Sequence, residues 1–230
     1  LVPTPAIEAR LLEWEARLAV CAGAPLTAGV ERAREEGPED LPSEARAVFC
    51  IRTDASKEGT TLPGLGGALG GSGWRYPDHT PLSAAELDLP IPVTEFAAFY
   101  GGVEVHGDAV ANDAFVLLEL DALASVDSLT TEAARSPLMQ HIFLQLQQLR
   151  QWVRIRPLCY VGQVHGDGNV MADAFSRGYF DVARQLSAQL GMAFEQLPSG
   201  PKLAQLMVEL VALSRLPRAS SAPVVPRGAV

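Results

Sequence analysis

The residues of this chain best suited to chemistry are acidic side chains that follow apolar segments. Asp54 ends the segment Ala-Val-Phe-Cys-Ile-Arg-Thr, and Asp121 ends Phe-Val-Leu-Leu-Glu-Leu. Both segments favour strands, and the ends of strands in an open α/β sheet border the crevice where ligands bind. Glu95, in the first turn of a predicted helix, and Asp173, in a later short helix, could reach the same crevice.

Four clustered carboxylates predict a metal site. They repel one another and shift each other's protonation unless hard divalent cations lie between them. Two such ions, about 3.5 to 4 Å apart, can activate a water and stabilise the leaving oxygen of an in-line phosphodiester displacement. The pattern therefore points to hydrolysis of a phosphodiester.

Four motifs follow one another along the chain: Thr53–Ser56 before a Gly-rich strand, Thr94–Ala98, the strand-ending Asp121, and Asn169–Arg177. Together these motifs resemble the ribonuclease H domain that follows reverse transcriptase in retrotransposons. The last is the most specific, because it departs from the family pattern Asn-x-x-Ala-Asp-x-Leu-Ser-Arg only by Phe175 at the Leu position. The resemblance spans roughly residues 46 to 177.

The resemblance implies an α/β fold with a mixed five-stranded sheet, three antiparallel strands then parallel ones, flanked by helices. It implies a magnesium-dependent endonuclease that cuts the RNA strand of RNA/DNA hybrids by a two-metal mechanism. Two Mg²⁺ ions, with Mn²⁺ as a substitute, would be bound by Asp54, Glu95, Asp121 and Asp173. His165 would assist proton transfer or product release. The expected partners are the hybrid and the reverse transcriptase domain of the same polyprotein.

Each of these residues also has an ordinary interpretation. A lone Asp after a strand is usually a turn or helix-cap residue, and Glu95 alone is typical of a carboxylate facing a helix dipole. Asp121 precedes Ala122 where the family often has Asn, so Asp113 and Asp127 remain alternatives for the third ligand. His165, in a Gly-rich loop, could be simply exposed.

Periodicity and turn residues predict how the chain is organised. Residues 1–43 should form a connector helix and a linker, 44–178 the ribonuclease H-like domain, 179–215 a helical extension and 216–230 a disordered tail. Thr94 is the predicted N-cap of a helix that ends at His106. One continuous helix is expected over 136–153, followed by a last strand over 154–162.

Composition bounds the function further. No apolar run approaches the roughly 18 to 20 residues that cross a bilayer, and no secretory leader is visible, so an intracellular protein, cytoplasmic or nuclear, with no membrane partner is expected. Three cysteines without a C-x-x-C pair argue against disulfides and zinc.

The charge is unusual for a nucleic-acid enzyme. A net charge of -9 and only two lysines, Lys57 and Lys202, favour a second hypothesis, a catalytically degenerate or domesticated domain that serves as a binding or scaffolding module. A third hypothesis, a nuclease or recombinase acting on DNA, shares the metal chemistry but not the context of Asp173.

Overall fold

The computed structural model describes residues 48–111, 114–131, 134, 136–164 and 168–216. Their strands are β1 (Val48–Ser56), β2 (Gly64–Leu69), β3 (Ser72–Tyr76), β4 (Phe115–Leu120), β5 (Cys159–Gln163) and β6 (Glu195–Leu197). Their α-helices are α1 (Ala84–Leu87), α2 (Ile91–His106), α3 (Leu123–Thr130), α4 (Pro137–Leu146), α5 (Arg150–Ile155), α6 (Val170–Ser176), α7 (Phe180–Gln189) and α8 (Pro201–Ser214). Single 3-10 turns follow α2 at Gly107–Ala109 and α5 at Arg156–Leu158.

The strands form one sheet in the order β5-β4-β1-β2-β3-β6. β1, β2 and β3 are antiparallel, β4 and β5 run parallel to β1, and β6 runs parallel to β3. A tight turn joins β2 to β3, where Gly70 adopts a positive φ of 60° that suits glycine. The predicted fold class is confirmed, and β6 is an additional strand at the edge.

The larger hydrophobic core lies on the face of the sheet that packs against α2. Ile51 and Thr53 point to this face, and a Cβ added to Gly102 of α2 would lie 2.6 Å from Cγ2 of Thr53. The glycine therefore lets the helix approach β1 closely. Phe96 and Phe99 are almost fully buried here, and burying such a side chain stabilises the fold by about 1.5 to 3 kcal/mol.

A smaller core lies on the opposite face, which packs against α6 and α7. It is centred on Phe175, which is fully buried and stacks on Phe194 with 6.0 Å between ring centroids. Alternation along β1 sends Asp54 to this face. Its register partner Gly66 is in such close contact with α6 that an added Cβ would lie 2.3 Å from the backbone nitrogen of Ser176.

Helix α8 belongs to the larger core, although it lies outside the segment that resembles ribonuclease H. Leu203, Leu206, Met207 and Leu210 are buried in that core. The carboxylate of Glu104 accepts hydrogen bonds from the backbone amides of residues 202 and 203, at 2.9 and 2.8 Å. A side chain of α2 thus satisfies amides that the first turn of α8 leaves without intrahelical partners.

The structure corrects three local predictions. Helix α2 begins at Ile91 after Pro90, because proline is tolerated in a first turn, so Thr94 lies inside the helix and donates to the carbonyl of Ile91. The continuous helix expected over 136–153 is two helices, α4 and α5. The last strand begins at Cys159, since Arg156–Leu158 forms a 3-10 turn.

Several predictions fall on residues outside the described ranges. These are the N-terminal connector and linker, the alternative ligand Asp113, the loop residue His165 and the tail after Leu216. Within the described ranges, no helix is both long and apolar enough to cross a membrane.

Candidate active site

Two of the predicted ligands lie on neighbouring parallel strands. Thr53 pairs with Leu120 in the register of β1 and β4, so the residues that follow them, Asp54 and Asp121, are at the same level of the sheet. Asp121 directly follows β4, whereas β1 continues to Ser56, so Asp54 lies within its strand.

Glu95 reaches the same edge from α2. It is the fifth residue of that helix, not part of its first turn as expected, because the helix begins at Ile91. Its Oε1 accepts a hydrogen bond from the backbone amide of Ala55 at 3.2 Å, past the last β1 residue that pairs with β4. The carboxylate therefore lies beside the strand that carries Asp54.

The carboxyl group of Glu95 lies in surroundings that disfavour its ionised form. It is 5% exposed, and its Oε2 has no hydrogen-bond partner. Burial first, then the negative charge of Asp54, and more weakly that of Asp121, hold the pKa of Glu95 well above its usual range. A buried carboxylate oxygen without a donor is rare and calls for an explanation.

Asp54 is also buried, at 9% exposure, and accepts a hydrogen bond from the hydroxyl of Ser176 at 2.5 Å. Burial raises the pKa of Asp54 to about 6, although the Ser176 hydrogen bond lowers it. The negative charges of Asp173 and Asp121 raise this pKa further, and the positive charge of Arg177 lowers it.

Asp173, in α6, is more exposed than Asp54 and Glu95. Its Oδ1 accepts a hydrogen bond of 2.6 Å from Nε of Arg177, one turn later, and the two side chains are 37% and 29% exposed. Arg177 also donates to the carbonyl of Glu58. One cation thus joins the helix carrying Asp173 to the loop after β1.

The four predicted acidic residues are electrostatic neighbours, linked through their effects on the pKa values of Asp54 and Glu95. They do not form a closed ligand shell: among the described residues, no three Asp, Glu, His or Cys side chains converge closely enough to hold one ion. Asp121 is the third-ligand candidate that acts on Asp54 and Glu95, whereas Asp127 lies in the second turn of α3.

The chemistry of the cluster fits a hard divalent cation. The donors are carboxylate oxygens, the ligands preferred by Mg²⁺ and Mn²⁺, and soft sulfur donors are absent from the four. Oε2 of Glu95 is buried beside like charges and without a donor, and a nearby cation would relieve both costs. The donor chemistry of the four residues therefore suits Mg²⁺, although no three of these side chains converge on one point in this structure.

The contacts of two further residues of the site could not be predicted from the sequence. Asn169, 1% exposed, donates from Nδ2 to the carbonyl of Thr53 at 2.9 Å, and Ser176, fully buried, donates to Asp54. Both belong to the motif Asn169–Arg177, so the motif marked them, but their contacts span more than a hundred residues of chain and depend on the folded structure.

Comparison with known proteins finds a likeness in structure but not in sequence family. No protein-family model matches the chain, and no curated protein does. Among solved structures, the N-terminal RNase H domain of rv2228c from Mycobacterium tuberculosis, studied as a fusion with maltose-binding protein, is 18% identical to this chain, with a TM-score of 0.41. The match covers 63% of this chain and 99% of the other.

Proposed function

We propose that this chain is a magnesium-dependent endonuclease that hydrolyses the RNA strand of RNA/DNA hybrids inside the cell. The observation that carries the proposal is the buried, unpartnered Oε2 of Glu95 beside Asp54 and Asp121. Structural ion pairs satisfy their oxygens, whereas this carboxylate is kept buried and incompletely satisfied, as expected of a metal ligand. The order of the four motifs supports the choice of ribonuclease H over other metal-dependent chemistries.

Asp54, Glu95, Asp121 and Asp173 would hold the ions, and His165 would assist proton transfer or product release. When bound, two divalent ions would polarise the attacking water and stabilise the leaving 3′ oxygen. The protein's own contribution is positional: Glu95 is tied to β1 through Ala55, and Asp173 is tied to Arg177.

The segment Asn169–Arg177 supports a retroelement origin, because its sequence follows the retrotransposon pattern at every fixed position but one. The proposed partner is the reverse transcriptase domain of the same polyprotein. Such a partner would supply hybrid, the product of copying RNA into DNA.

The deciding experiment is cleavage of an RNA/DNA hybrid labelled on its RNA strand, with Mg²⁺ and with chelator. Single-stranded RNA and duplex DNA serve as substrate controls, and the second also tests the DNA-nuclease hypothesis. Asp54→Asn should abolish cleavage, because it removes a charged ligand while preserving shape. Asp181→Asn, in α7, is the matched control and should retain activity, because Asp181 is 90% exposed and pairs with Arg184 in its own helix.

A second candidate function, a binding or scaffolding module without catalysis, is favoured by the state of Lys57. Its ammonium group donates to the carbonyls of Leu87 and Leu89, and burial lowers its pKa. With a net charge of -9, one of only two lysines is thus engaged within the fold and not displayed to phosphates. A folded parent that does not cleave the hybrid in Mg²⁺ or in Mn²⁺ would favour this function.

A further inference from the structure

The side chain of Ser176 contacts two residues of the acidic cluster, Asp54 and Asp173. Ser176 is the last residue of α6 and is fully buried. Its hydroxyl donates to Oδ2 of Asp54 at 2.5 Å, and the carbonyl of Asp173 lies at 3.0 Å as a second acceptor. A hydroxyl has one proton, and the short contact to an ionisable carboxyl group is the stronger of the two.

We propose that Ser176 is a positioning residue of the metal site, an inference that rests on the proposed function. Its hydroxyl engages one oxygen of Asp54 and so fixes the rotation of that carboxyl group, leaving the other oxygen for a cation. Partners of this kind orient metal ligands and raise their affinity for the ion. Ser176 acts through Asp54 and is not itself a ligand.

The backbone of Ser176 is held in place independently of its hydroxyl. The hydroxyl of Ser56 donates to the carbonyl of Ser176 at 2.9 Å. Gly66 packs directly on its backbone nitrogen, at a distance that leaves no room for a Cβ. The end of α6 therefore stays against β1 and β2 when the hydroxyl of Ser176 is removed, and the loss falls mainly on the orientation of Asp54.

The other end of α6 is anchored to the preceding residue of β1. Asn169, the N-cap of the helix, donates from its side chain to the carbonyl of Thr53 at 2.9 Å. Consecutive residues of β1, Thr53 and Asp54, thus bind the two ends of the helix, and Asp173 lies between them. This arrangement fixes the position of Asp173 relative to Asp54.

The test is divalent-ion binding by the full chain, measured by titration calorimetry with Mn²⁺ and with Mg²⁺. Ser176→Ala should bind about 10- to 100-fold more weakly than the parent, the range found when an outer partner of a metal ligand is lost. Ser187→Ala is the matched control, because Ser187 is equally buried but donates to Ala183 within α7. Its affinity should equal that of the parent.

Turnover gives a second readout. In Ser176→Ala at subsaturating Mg²⁺, kcat on the hybrid should fall while KM for the hybrid stays unchanged, because the substitution touches the ligand and not the substrate. Should Ser176→Ala not fold, Ser176→Cys replaces the hydroxyl with a slightly larger thiol that is a weak donor, and it should show the same loss of affinity.

Two results would overturn the inference, and they are distinguishable. If the parent binds the ions and cleaves hybrid, and a folded Ser176→Ala or Ser176→Cys does both equally well, the positioning role is wrong and the proposed function stands. If the parent binds neither ion, the proposed function and the role of Ser176 fail together.

Discussion

The Oε1 atom of Glu95 accepts a hydrogen bond from the backbone amide of Ala55 at 3.2 Å, while Oε2 of the same carboxyl group is buried without a partner. Oε1 therefore joins α2 to β1, whereas the burial of Oε2 without a donor destabilises the fold. Oε1 thus has a structural contact, whereas Oε2 is available for the proposed metal ion. Substitution of Glu95 by Gln tests the two contributions separately.

Glu95→Gln should stabilise the metal-free protein, because Gln keeps an acceptor for Ala55 and removes a buried negative charge. The sign follows from linkage: a carboxyl group whose pKa is raised by folding destabilises the fold once the pH exceeds its unfolded pKa. The gain in melting temperature, measured in chelator, should thus be large at about pH 8 and small at about pH 4. Hybrid cleavage should be abolished.

The exposed Glu58→Gln is the control for this experiment, and its melting temperature should follow the parent at both pH values. A Glu95→Gln protein less stable than the parent at high pH would mean that the buried carboxylate is satisfied, which would remove the main support for a metal site.

Much of the architecture could be predicted because its signals are local. The strands before Asp54 and Asp121 are apolar runs that end in acidic residues, and the structure has β1 and β4 there. The sequence predicts too late a start for α2, because Thr94 is a favourable N-cap residue, whereas Pro92 also fits the first turn of a helix. Strand β6 has only three residues and forms through pairing with β3, which no local pattern reveals.

The candidate site could be predicted in part, because some of its signals are also local in the sequence. Acidic residues after strands can be located from a sequence, but the burial of Glu95 arises from α2 packing on the sheet. The contact of Ser176 with Asp54 joins residues 122 positions apart. Such contacts exist only after folding, so the sequence could suggest ligands but not the groups that hold them.

His106, at the end of α2, gives a prediction independent of the metal site. It is 1% exposed, and its Nε2 has no hydrogen-bond partner. Burial lowers the pKa of His106 from 6.5 to about 4. The neutral ring therefore stabilises the fold fully above the unfolded pKa, and this contribution is lost as the pH falls towards about 4.

His106→Gln should accordingly destabilise the protein most near neutral pH. The difference in unfolding free energy from the parent, measured with urea in chelator, should shrink by up to about 3 kcal/mol between pH values of about 7.5 and 4.5. Comparing variant with parent cancels the opposite pH dependence of Asp54 and Glu95. A difference that stays constant over this range would show that His106 is not held neutral by burial.

Arg75, in β3, is 1% exposed and joins the loop between β1 and β2 to the loop between β3 and α1. Its guanidinium donates to backbone carbonyls, at 2.8 Å to Leu62, 3.1 Å to Pro63 and 2.8 Å to Thr80, and also to Pro77. These loops follow β1 and precede α1, so the group ties the loop behind Asp54 to the rest of the domain.

Arg75→Met should destabilise the protein by about 3 kcal/mol, because it removes four hydrogen bonds to backbone carbonyls, one buried and three partly buried, while nearly preserving the side-chain volume. The loss should appear as a lower urea midpoint in chelator. Arg184→Met is the control, since Arg184 is 58% exposed, pairs with Asp181 in its own helix and lies over the ring of Phe194, contacts that are each expected to contribute no more than about 1 kcal/mol. Equal midpoints for the two variants would mean that the carbonyls around Arg75 find other donors, and that the guanidinium does not organise the loops.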